Sequence, residues 1–229
     1  MRVAVLLASA VVSVVLGSTP VARPDESGGN EWISLFDGKD LSAWKISPTA
    51  KWSVENGAIA LKDRTDGKMR NVDYLWTKET YGDFVLELEF KVPEQANSGV
   101  FLRAADLKDP VYTGIELQVT NSHGKPLSRG GTAGAIYDCL APTKNTAKKV
   151  GKWNKYRITC DDNMIRVVLN GEQIVEMDLN RWTAAGKNPD GTPNKFRKPL
   201  KDFARSGHIG FQDHGRAVWY RNVRIKRLD

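Results

Sequence analysis

The chain carries an acid, a histidine and an arginine at spacings that bear on chemistry. In Gly114-Ile115-Glu116-Leu117-Gln118-Val119-Thr120 the side chains alternate, so Ile115, Leu117 and Val119 share one face and Glu116, Gln118 and Thr120 the other. That period of two marks a strand with one buried apolar face. Its polar face is unusual in aiming a Glu and a Gln, two residues apart, at one spot. The strand before it opens on Asn97-Ser98-Gly99, read as a turn-forming triplet, and ends in Arg103. If the two strands pair, Arg103 is expected beside Glu116 or Gln118 on the same face. Gln212 and His214 are likewise two apart, and His214-Gly215 begins a turn, which puts the imidazole at a strand end. A carboxylate, an imidazole and a guanidinium together suit proton abstraction next to a carbonyl. One group takes the proton, another returns it, and the cation holds the oxyanion. Which of Glu116 and His214 is the base stays open, and a salt bridge that merely positions Glu116 is the plainer account of Arg103. His123, in a Ser-His-Gly loop, and His208, between Gly207 and Ile209, read as structural.

The elements that must position these residues are strands. Runs over residues 31–36, 51–55, 58–61, 83–91, 98–103, 114–120, 154–160, 164–169, 172–177, 207–213 and 217–228 are apolar or alternate, with an irregular register at Arg221-Asn222 that suggests a bulge. Asn56-Gly57 and Asn170-Gly171 each sit between two such runs, the hairpin signal of a type I′ turn. Helical periodicity is absent apart from one turn near residues 199–203. The pattern predicts an all-β sandwich of two antiparallel sheets spanning residues 31–229. Residues 105–112, 121–132 and 180–205 read as loops. The last is long for a compact domain, and such loops are usually functional. Trp182 and Phe196 offer it apolar anchors, Asn188, Asp190, Asn194 and Lys195 polar groups that could face a ligand, and its prolines stiffen it. It is therefore expected to wall the site.

Composition narrows the setting. With 41% apolar residues and seven Trp in 229, the chain has the means to build a core. A net charge of +7 would permit nucleic-acid binding, yet the basic residues are scattered and no recognition motif carries them, so no nucleic-acid partner is expected. Met1-Arg2, an apolar run to Leu16 and small residues at Gly17, Ser18 and Ala22 predict a cleaved signal peptide over 1–22, a linker over 23–30, and a periplasmic or secreted protein. The run is too short for a membrane span. Cys139 and Cys160 are expected to stay unbridged, Cys160 as a buried thiol.

Seven stretches occur in order: Trp32 to Lys39 (WISLFDGK); Leu75 to Lys78 with Tyr81 to Phe84; Asn97 to Arg103; Gly114 to Gln118; Gly134-Ala135-Ile136-Tyr137; Leu169-Asn170-Gly171; and Gly210 to Gly215 (GFQDHG). The series resembles the 3-keto-disaccharide hydrolase family over almost all of the chain after the linker. The resemblance implies a concanavalin A-like jelly roll with a sugar-binding concave sheet face, and cleavage of disaccharides or glycosides already oxidised to a ketone at carbon 3. Glu116, His214 and Arg103 are then the catalytic candidates. Gln118, Gln212, Tyr137, Asn97 and Trp182 are the substrate-binding ones, with a small saccharide as partner.

The polar face of the Glu116 strand also argues by what it lacks. Retaining glycosidases need two flanking carboxylates, and here Gln118 and Thr120 follow the single acid. No cofactor and no metal are expected, since ligand spacing such as His-x-x-x-His is missing. Residues 188–194 place oxygen side chains at alternate positions but lack the distal Glu of a calcium loop. Trp44, Trp76 and Trp182 are expected to stack on sugar, and Trp32, Trp52, Trp153 and Trp219 to lie in the core. The rival reading from another class is a carbohydrate-binding module without turnover, which aromatic platforms on a flat face would favour.

Overall fold

The computed structural model describes residues 31–47, 49, 51–63 and 73–229. The expected signal peptide and linker lie outside them. Thirteen strands among the described residues form two antiparallel sheets. They are β1 (Ile33–Phe36), β2 (Trp44–Ile46), β3 (Ser53–Glu55), β4 (Ala58–Leu61), β5 (Asp73–Thr77), β6 (Phe84–Lys91), β7 (Ser98–Ala104), β8 (Ile115–Val119), β9 (Asn154–Asp161), β10 (Met164–Leu169), β11 (Glu172–Asp178), β12 (His208–Asp213) and β13 (Val218–Arg227). One sheet runs β11-β10-β9-β6-β13-β4-β3, with β1 also on β13; the other runs β2-β5-β12-β7-β8. A single helical turn, α1 (Pro110–Thr113), interrupts the first expected loop. Among the described residues no helix is long and apolar enough to cross a membrane.

The alternation seen in the sequence becomes the core. Phe84, Leu86, Leu88 and Phe90 of β6 point between the sheets, while Glu87 and Glu89 point out. Across the gap Phe211 of β12 stacks on Tyr220 of β13 at 4.0 Å, joining the two sheets through one aromatic pair. Asn56 and Asn170 both take positive φ ahead of their glycines, as type I′ turns require. The bulge in β13 is present, with Asn222 at φ 52 and a register shift between Arg221 and Arg224.

On the outer face of the larger sheet Glu87 binds Arg157, Arg224 and Lys155, and Glu89 binds Arg221. Much of the positive charge in β9 and β13 is thus spent on carboxylates. Trp32 lies half-buried under Arg157 and Arg224, and Trp153 and Trp219 under Lys91, so these three are not core residues as expected. Trp44, expected as a sugar platform, is buried instead: it packs on Phe211 and donates Nε1–H to the Leu35 carbonyl. Cys139 and Cys160 are both free and buried, and burial pushes each thiol up to about 12.

Candidate active site

The outer face of the five-stranded sheet carries the chemistry-bearing side chains. β8 turns Glu116 and Gln118 to this face because Ile115, Leu117 and Val119 are claimed by the core. β12 adds Gln212, whose neighbours Phe211 and Ile209 are core. β5 adds Tyr74 and Trp76, with Leu75 turned inward, and β7 adds Phe101. Antiparallel pairing sets Phe101 opposite Glu116, Gly99 opposite Gln118, and Gln212 opposite Tyr74. Tyr74 and Trp76 stack at 4.8 Å, and Phe101 meets both edge-on, a small apolar floor separate from the main core.

Glu116 is nearly enclosed, with 5% of its surface exposed. Burial raises its pKa above the ordinary carboxylate range. The Lys195 ammonium, the nearby His214 and Gln212 each pull it back down without cancelling that shift. Lys195 Nζ lies 3.4 Å from Glu116 Oε2 and 4.7 Å from the centroid of the Tyr137 ring. Tyr137 is fixed beside the acid by its own backbone N–H, which donates to the Glu116 carbonyl at 2.9 Å. Gln118 donates Nε2–H to Asn97 Oδ1 at 3.3 Å, and its Oε1 is buried without a partner among the described residues.

Gly99 makes room for the acid. A Cβ there would stand 2.6 Å from Glu116 Oε1 and 2.8 Å from its Cγ. The triplet read as a turn is therefore the start of β7, and its glycine serves a close approach. Gly99→Ala should displace the carboxyl by about an ångström and lower kcat on the true substrate by roughly 10²-fold. Its melting temperature should stay within a few degrees of wild type, as thermal scans would show.

Glu116, Gln118, Gln212, His214, Tyr137 and Asn97 are thus gathered within one region. Arg103 is not. An extra residue in β7 opposite β12 shifts the register, Arg103 takes φ 51, and the alternation flips, so that Ala104 rather than Arg103 returns to the site face. The guanidinium leaves for the other sheet. It donates to the Gly82 carbonyl at 2.8 Å, to the Asp162 carbonyl at 2.6 Å and to Asp83 Oδ1 at 2.7 Å. Trp182 is also elsewhere: it is buried in the core cluster and donates Nε1–H to Asn188 Oδ1 at 2.8 Å.

The cation that does face Glu116 is Lys195, named at first only as one polar group of the long loop. Nothing in the local sequence ties it to a strand 79 residues away. The loop reaches the site because Asn188 donates to the Asp138 carbonyl, Arg129 donates to Thr192 Oγ1, and Arg197 pairs with Asp109. Trp182 and Phe196 belong to the core cluster, so the loop is built into the fold and not laid over it. Its calcium-like oxygens are spent internally: Asn188 Oδ1 accepts from Trp182 and Asn194, and Asp190 Oδ1 from Thr192. Tyr74 is the other residue missed, although its alternation with Leu75 and Trp76 was a usable signal.

A cavity of about 570 Å³ lies away from this region, on the outer face of the larger sheet, lined by Trp32, Glu87, Lys155 and Arg224 among others. Burial raises the pKa of Glu87 and Glu89, but their hydrogen-bond partners, Arg224 and Asn222 foremost, outweigh it and hold both below the ordinary carboxylate range. Glu116 is raised above that range, which leaves its region as the better place for proton chemistry.

A family profile described as the 3-keto-alpha-glucoside-1,2-lyase-like domain matches residues 31–226. The chain belongs to that family. A curated relative, the 3-keto-disaccharide hydrolase of Bacteroides thetaiotaomicron, is 30% identical over 86% of this chain and 79% of its own. Among solved structures, a candidate glycosyl hydrolase from Parabacteroides distasonis superposes with a TM-score of 0.75 at 35% identity, covering 87% of this chain and all of that one. A β-glucanase of Bacillus licheniformis, at 11% identity and a TM-score of 0.52, covers 89% of this chain and 100% of its own. That likeness shows the concanavalin A-like jelly roll alone. In this member of the 3-keto-alpha-glucoside-1,2-lyase-like family, the motifs at 97–103, 114–118 and 210–215 fall on neighbouring strands of the five-stranded sheet, and the motif at 134–137 bridges to its β8 edge.

Proposed function

We propose that the chain is an enzyme that cleaves the glycosidic bond of sugars carrying a ketone at carbon 3. The observation that carries the reading is Glu116: one buried carboxyl, raised in pKa, facing a lysine ammonium among amides suited to sugar hydroxyls. The hydrolase named among its relatives acts on such sugars and supports the same substrate class. Trp44 and Trp182 are buried, and Tyr74, Trp76 and Phe101 on the site face are packed on one another and also buried, which counts against an exposed aromatic platform and so against a module that only binds.

In this mechanism Glu116 takes the proton from carbon 2, made acidic by the neighbouring ketone, and the electron pair moves onto the ketone oxygen as an enolate. When the enolate collapses, the ketone returns, a carbon 1–carbon 2 double bond forms, and the bond from carbon 1 to the glycosidic oxygen breaks. His214, at the end of β12, gives that oxygen a proton. Water then adds across the double bond, its hydroxyl to carbon 1 and its proton to carbon 2, so the net change is hydrolysis. Gln118, Gln212, Asn97 and Tyr137 orient the ring. Lys195 favours the ionised form of Glu116 that proton abstraction needs, against the effect of burial. The apolar run after Met1-Arg2 suggests that the reaction takes place outside the cytoplasm.

The test is incubation with 3-keto-trehalose and with unoxidised trehalose side by side, read by release of free glucose. Turnover is expected with the ketone alone. Equal cleavage of both sugars, or of neither, would overturn the reading.

A further inference from the structure

Among the described residues, three buried polar atoms on the site face make no well-formed hydrogen bond: the Tyr74 hydroxyl, Gln118 Oε1 and Gln212 Oε1, although the Gln212 side chain lies near enough to the phenol to interact with it. Each side chain is more than nine-tenths buried. Buried polar groups are nearly always paired, so several orphans on one sheet face mark a place shaped for something that pairs them. The three differ in kind. The amide oxygens only accept, and so reward a hydroxyl, whereas the phenol can donate. A ketone oxygen can only accept, so a site that tells a ketone from the parent alcohol needs a fixed donor.

We propose that Tyr74 is that donor: its hydroxyl binds the ketone oxygen of the substrate and holds the negative charge that arrives there when Glu116 removes the neighbouring proton. This rests on the reading of the site as one that acts on keto sugars. With Arg103 committed to Gly82, Asp83 and Asp162, and Lys195 engaged with Glu116, the enolate is left for another group to hold. Tyr74 is placed to do so. It stands opposite Gln212 in the β5–β12 pairing, Gln212 bears on both Tyr74 and Glu116, and the charge of Glu116 is felt at the phenol. The ring is clamped by Trp76 at 4.8 Å and Phe101 at 5.2 Å, so the hydroxyl is held in place before substrate arrives. Gln212 and Gln118 accept from ring hydroxyls. The substrate class that follows is a neutral pyranose with a ketone flanked by hydroxyls. A sugar carboxylate would set a second negative charge near Glu116.

Tyr74→Phe is the test, because it removes one atom and keeps the clamped ring. Two rates are measured on 3-keto-trehalose in deuterated water: glucose release, and incorporation of deuterium at carbon 2. Both should fall on the order of 10²-fold, with KM changed far less than kcat. The melting temperature should change little, since among the described residues the lost hydroxyl makes no well-formed hydrogen bond. If wild type turns over the ketone and the variant matches it in both rates, the assignment of Tyr74 is wrong while the reading of the site stands. If wild type itself neither exchanges nor cleaves, the reading of the site falls, and the proposal with it.

Discussion

Replacing Glu116 by Gln is expected to lower kcat on a 3-keto-disaccharide by roughly 10²–10⁴-fold, the usual worth of a positioned general base. The protein should become no less stable at neutral pH. The carboxyl has a folded-state pKa above its unfolded value, so folding favours its protonated form. Its contribution to stability is complete below the ordinary carboxylate pKa, declines as pH rises from there, and is lost above the raised folded value. At pH 7, above the ordinary carboxylate pKa, the wild-type protein has lost stability that the acid contributes at low pH, whereas the neutral amide does not titrate and suffers no such loss. Melting curves of wild type and Glu116→Gln should differ most, in favour of the variant, near neutrality. They should converge in acid below the ordinary carboxylate range, where the wild-type acid is protonated in both states. Full activity in this variant would remove Glu116 from the chemistry. A large loss of stability at pH 7 would mean that its ion pair with Lys195 outweighs burial.

Lys195→Met should produce a different signature. The ammonium, 3.4 Å from Glu116 Oε2, is the strongest of the groups that draw the pKa of the acid downward. Without it the pKa rises further, and the acid limb of the pH–rate profile moves to higher pH. An opposite charge at this range typically shifts a carboxyl by about 1–3 units, so activity below the new limb should fall roughly 10- to 10³-fold. Raising the pH should restore much of it, and Lys195→Arg should restore part at any pH. The measurement is kcat/KM on 3-keto-trehalose across pH for the three proteins. A uniform loss with no shift of the limb would instead mean that Lys195 contacts the substrate and does not act through Glu116.

The strands, their inward faces and the two Asn-Gly hairpins were legible in the sequence, because a period of two and a positive-φ turn are local properties. For the same reason Glu116, Gln118 and Gln212 could be assigned to polar faces without any coordinates. The motif series resembled the right family from residue order alone. Three failures of local pattern bear most on the site, each with a physical reason. Arg103 lay in phase with the site until one extra residue in β7, forced to φ 51 against β12, turned it toward the other sheet; a bulge depends on the partner strand. Trp44 and Trp182 were expected on the sugar, but an aromatic ring goes wherever packing claims it, and here Phe211 and Asn188 claimed them. Lys195 and Tyr74 met Glu116 and Gln212 only through folding, since a loop anchored by its own buried aromatics and a strand paired across the sheet bring together residues with no shared periodicity. Sequence by itself determined which faces are polar; the tertiary structure alone decided which polar groups share one patch, because that depends on register and loop anchoring between segments far apart in the chain.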